Sequence, residues 1–72
     1  MKVEIAWIGN NEVLKCNGKW ITSHSLKGFE NVVIGDKLAK GVYEAIVNDR
    51  ICNLVSTKIE VSGFVGLFWV VL

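Results

Sequence analysis

The 72-residue chain predicts a mainly β fold, a small antiparallel barrel or sandwich of about six to eight short strands that opens with a three-stranded meander. Three observations lead there. Apolar and polar residues alternate through the first third of the chain, Asn-Gly and similar pairs punctuate the alternating runs, and the last ten residues, GFVGLFWVVL, are rich in β-branched and aromatic side chains. One stretch, residues 36–47, also fits a helix, which would make the fold α+β.

The meander comes first. KVEIAWI, EVLKC and KWITSH read as strands joined by Asn10-Asn11 and Asn17-Gly18. Asn-Gly is a strong hairpin signal because both central residues of a type I′ turn need positive φ. With a two-residue loop there, Lys15 faces Trp20 and Leu14 faces Ile21. With a second at Asn10-Asn11, Ile8 faces Val13, Trp7 faces Leu14 and Ile5 faces Cys16. Side chains alternate between faces, so both hairpins place Val3, Ile5, Trp7, Leu14, Cys16 and Ile21 on one core face. Glu4, Ala6, Ile8, Val13, Lys15, Trp20, Thr22 and His24 share the other, partly solvated face.

Between residues 25 and 40, VVI is the clear strand seed, bracketed by Gly28 and Gly35. Beyond it, YEAIV and RICNL pair as strands across Asn48-Asp49 and point Tyr43, Ala45, Val47, Cys52 and Leu54 inward. The competing helix would be capped by Asp36 and would present a stripe of Leu38, Ala39, Val42, Tyr43 and Ile46. Gly41 and the β-branched Val42, Ile46 and Val47 favour strand. The tail predicts a last hairpin turning near Ser62-Gly63. KIEV still alternates, but from Phe64 onward both faces are apolar, so that strand must be covered on both sides, within the fold or by another subunit.

Composition narrows the function classes. A hydrophobic content of 51%, no proline and 21% charged residues exclude disorder. Eight basic against seven acidic residues leave a net charge of +1, far from the excess that phosphate-dominated binding shows. In MKVEIAWIG, Glu4 interrupts the apolar run too early for a signal-peptide core, and the apolar tail is about half the roughly 20 residues of a spanning helix. These features predict a cytoplasmic protein with no membrane segment. Cys16 and Cys52 form no CxxC pair and are expected as buried thiols, a disulfide being the alternative.

Motifs for chemistry are sparse. His24 lies between Ser23 and Ser25, but neighbouring residues on a strand point to opposite faces, so neither serine is placed for activation by the imidazole. One histidine with two distant cysteines gives no zinc spacing, and VVIGDK lacks the glycines of a phosphate loop. The chain is therefore expected to have no catalytic residues, no metal and no cofactor. Its expected function is a non-enzymatic protein-binding or self-assembly module, an accessory protein of the size found among inhibitors and assembly pieces of viruses or mobile elements. The partner-binding residues are Lys15, Lys19, Trp20, Thr22 and His24, a tryptophan ringed by polar and cationic side chains in the manner of an interface hot spot. Self-association is assigned to Val65, Leu67, Trp69 and Val71 of the apolar tail, which makes a homo-oligomer the expected state. The alternative function is a small barrel that binds single-stranded nucleic acid through Lys15, Lys19 and Trp20, with Lys27 near the same tip.

Overall fold

A computed structural model describes residues 1–22 and 26–72. His24, with Ser23 and Ser25, lies outside the described residues. Seven antiparallel strands form one sheet: β1 Val3–Ile8, β2 Asn11–Cys16, β3 Lys19–Trp20, β4 Val32–Ala39, β5 Val42–Val47, β6 Arg50–Val61 and β7 Phe64–Val71. Their spatial order is β1-β2-β7-β6-β5-β4, with β3 also pairing β2. Residues 36–47 are the end of β4 and the whole of β5. The β-branched residues that weaken a helix here fill a pleated strand, and Lys40-Gly41 makes the turn.

The turns carry most of this regularity. Asn17 and Gly18 have φ of 51° and 77°, Asn48 and Asp49 52° and 63°, and Ser62 and Gly63 51° and 79°. Each pair thus has the double positive φ of a type I′ turn, whose twist matches that of the flanking strands. The second hairpin keeps its expected register, Lys15 opposite Trp20 and Cys16 opposite Lys19. The first does not. Ile8 faces Asn11, Ile5 faces Leu14 and Trp7 faces Glu12, because the turn is Gly9-Asn10 instead of Asn10-Asn11. Of that pair only Gly9 has positive φ, at 57°, the pattern of a type II′ turn, which glycine adopts without strain. The slip is two residues, so every side chain keeps its face. It does move Trp7 past Leu14 to the end of the sheet, where it is 65% exposed instead of joining the core.

The main core forms inside the curled sheet from Val3, Leu14, Ile21, Ala45, Val47, Cys52, Leu54 and Trp69, capped by Leu26 from the β3–β4 connection. Burying an aliphatic side chain such as Leu54 contributes about 1.5–3 kcal/mol. The Trp69 indole meets Tyr43 edge to face, with centroids 5.9 Å apart. A second cluster lies on the opposite face of β7: Val13, Phe68 and Val70, covered by Ile8, Trp20, Val55, Ile59 and Val61. The doubly apolar C-terminal strand is therefore covered on both sides by its own chain along Phe68–Val70.

The sheet's ends are β1 and β4, and an asparagine joins them. Asn31 Oδ1 accepts the Val3 N–H at 2.9 Å and Asn31 Nδ2 donates to the Val3 carbonyl at 2.7 Å, imitating a neighbouring strand. Asn48 Nδ2 donates to the same carbonyl at 2.9 Å, and the second Asn31 amide hydrogen goes to Asn48 Oδ1. Asn48 is held in turn by its own N–H, which donates to the Asn31 carbonyl at 3.1 Å.

Candidate functional site

The feature that leaves the barrel is the β6–β7 hairpin. β6 is 12 residues long, yet β5 accompanies it only as far as Val55, opposite Val42. On the other side, β2 reaches β7 only at Val70 and Val71, and the Trp69 N–H donates to the Ile21 carbonyl at 3.3 Å. Residues 56–68 therefore form a two-stranded arm with no strand alongside it among the described residues. Its ladder is regular from Leu54↔Val71 to Val61↔Phe64.

The two faces of the arm differ. Thr57, Ile59, Val61, Phe64, Gly66 and Phe68 share one, and Phe68 is buried there against the cluster that contains Trp20. Ser56, Lys58, Glu60, Val65 and Leu67 share the other, with Lys58 opposite Leu67 and Glu60 opposite Val65. Around the tip, Phe64 is 65%, Val65 52% and Leu67 43% exposed. The free edge of β6 has a defined polarity as well. A two-residue turn makes Val61 and Phe64 a hydrogen-bonded pair, so alternation aims the N–H and C=O of Val61, Ile59, Thr57 and Val55 at β7 and those of Ser56, Lys58 and Glu60 outward. The Leu72 N–H bond to the Asn53 carbonyl, 2.8 Å, falls on the same alternation.

The residues expected to self-associate are thus divided. Val65 and Leu67 lie exposed on the arm, whereas Trp69 is buried in the main core and Val71 packs half-buried against it; neither forms part of an open surface. The residues expected to bind a partner are also unequal. Lys15 Nζ lies 4.7 Å from the Trp20 ring centroid, the cross-strand cation–π contact that the hairpin register implies. Trp20 is half-buried and packs against the Phe68 cluster. Lys19 and Thr22 are exposed beside it.

No protein-family model, curated protein or solved structure matches the chain.

Three other features lie outside the arm. Arg50 at the start of β6 forks onto Glu12, with Nη2 2.8 Å from Oε2 and Nη1 3.3 Å from Oε1. Beside them, burial pushes the Cys52 thiol above its ordinary range, the Arg50 charge opposing and the Glu12 charge adding. An open groove of about 570 Å³ lies along the Asn31 seam, lined by Val33 and Ile46 together with Glu4, Glu30 and Asp49. Val33, Ile46 and Ile51 stand side by side across β4, β5 and β6 and are 61%, 39% and 72% exposed. Among the described residues no three His, Cys, Asp or Glu side chains gather as metal ligands, and no helix is long and apolar enough to cross a membrane.

The Asn31 clasp, the Arg50–Glu12 pair and the arm's open edge were not visible in the sequence. Each depends on residues distant along the chain, and the only local hint was that the face of β6 carrying Cys52 and Leu54 turns polar at Ser56, Lys58 and Glu60.

Proposed function

We propose that the chain is a non-enzymatic binding and assembly module that associates with a second copy of itself through the β6–β7 arm. One observation carries the reading: a regular hairpin extends past the barrel with no strand but β7 beside β6 from Ser56 onward among the described residues, and with Phe64, Val65 and Leu67 exposed around its tip. Two-stranded ribbons are marginally stable alone, and exposed apolar patches on small proteins mark contact sites. The free thiols of Cys16 and Cys52 fit a reducing compartment, which supports a cytoplasmic setting.

Single-stranded nucleic-acid binding through Lys15, Lys19 and Trp20 has less support. The Trp20 ring already holds an ammonium and packs into the second cluster, whereas a base-stacking platform needs an open aromatic face.

Light scattering on size-exclusion eluate tests the assembly. The wild-type chain should elute as a dimer or larger, and Val65→Glu or Leu67→Glu should give a folded monomer with an unchanged far-UV spectrum. A wild-type monomer at several hundred micromolar would sink the reading.

A further inference from the structure

Resting on that assembly reading, we infer that two copies join through the free edge of β6 in one register, centred on Ile59, with Lys58 of each copy opposite Glu60 of the other. A two-fold axis perpendicular to a sheet preserves its faces, so an antiparallel pairing of two identical strands must centre on a residue and match positions of equal parity. The outward-pointing groups of β6 belong to Ser56, Lys58 and Glu60. Centring on Ile59 aligns Lys58 with Glu60 of the second copy twice over, as a hydrogen-bonded pair each time. Four backbone hydrogen bonds and two opposite-charge cross-strand pairs result.

Neighbouring centres lack this complementarity. Centring on Lys58 or Glu60 sets a like charge against itself, and centring on Thr57 pairs Lys58 with Ser56. Within one chain, among the described residues, neither Lys58 nor Glu60 has an ion-pair partner.

The remaining geometry agrees. Val55 would align with the tip glycine of the second copy, so each tip ends where β5 begins at Val42. The two barrels therefore lie at opposite ends of a shared four-stranded ribbon. On one face of that ribbon Leu67, Lys58, Glu60 and Val65 alternate across the two-fold; on the other, Ile59 meets its own copy. β4 offers a poorer edge. Its pairing with β5 shifts register between Ile34 and Lys37 and again between Lys37 and Ala39, an irregularity that discourages edge-to-edge association.

Sedimentation equilibrium on charge variants tests the register. Lys58→Glu and Glu60→Lys should each raise the dimer dissociation constant about tenfold, because two attractive pairs become repulsive. The Lys58→Glu/Glu60→Lys double variant should return to within about threefold of wild type. Ile59→Cys should oxidise to a covalent dimer linked through position 59, since directly opposed residues that exchange no hydrogen bonds bring their Cα atoms to about 4.5 Å. A wild-type dimer whose affinity ignores both single reversals, or is not recovered by the double variant, overturns the register and leaves assembly through the arm standing. A wild-type monomer removes both.

Discussion

Replacing Asn31 by alanine should cost the fold about 2–4 kcal/mol, although the residue is only half-buried and outside the apolar core. Val3 is fully buried, and its N–H has Asn31 Oδ1 as its partner. Leaving a buried donor unsatisfied costs about 1–3 kcal/mol. The Val3 carbonyl keeps its bond from Asn48, so the lost Asn31 donation and the lost contact to Asn48 Oδ1 together add about 1 kcal/mol. For a chain of 72 residues the sum corresponds to a fall in Tm of roughly 10–25 °C. Asn48→Gly is the matched control. It removes the second amide while tolerating the positive φ of 52°, and because Asn31 still serves both Val3 groups it should cost only about 1 kcal/mol. Urea unfolding supplies the free energies, and hydrogen exchange at the Val3 amide reports on the bond directly, with protection lost in Asn31→Ala and kept in Asn48→Gly. An Asn31→Ala variant within about 0.5 kcal/mol of wild type, or an Asn48→Gly variant that costs more, would refute the view that this side chain closes the barrel.

Two further predictions concern Gly66 and Cys52. A Cβ at Gly66 would lie 3.1 Å from Phe64 Cε1 and 3.3 Å from Phe68 Cζ; Gly66→Val should therefore displace both rings and destabilise the chain by about 1–3 kcal/mol in urea unfolding, and an unchanged midpoint would show that the rings yield freely. The folded state raises the Cys52 pKa chiefly through burial, so the stabilising contribution of its neutral thiol is complete below the unfolded value of about 8.5 and is lost as pH rises through the folded value. Above the unfolded value, wild-type stability should fall with pH more steeply than that of Cys52→Ala, by at most about 1.4 kcal/mol per pH unit; parallel pH profiles would contradict this.

What the sequence made legible was local. Asn17-Gly18, Asn48-Asp49 and Ser62-Gly63 set their own hairpins, and period-two alternation then assigned the faces of Leu14, Ile21, Ala45, Cys52 and Leu54. Trp7 shows where such reasoning ends: its parity was right, but the turn at Gly9 carried it beyond the core. Trp69 and Val71 show the same boundary from the other side. An apolar strand announces that it must be covered, but whether its own chain or a second copy covers each residue depends on where the neighbouring strands stop. Asn48 reads as a turn residue and Asn31 carries no local signal, and their joint grip on Val3 exists only once the sheet has curled.

β6 changes sides along its length. Cys52 and Leu54 turn their apolar side chains toward the main core, and from Val55 onward Ile59 and Val61 turn theirs to the opposite cluster, while β7 feeds Trp69 to the first and Phe68 and Val70 to the second. Neither cluster can be dismantled without stripping the strands that complete the other. The chain's two small hydrophobic centres should therefore melt in a single cooperative step, and a core substitution such as Leu54→Ala should loosen the distant packing of Trp20 and Phe68 as surely as its own surroundings.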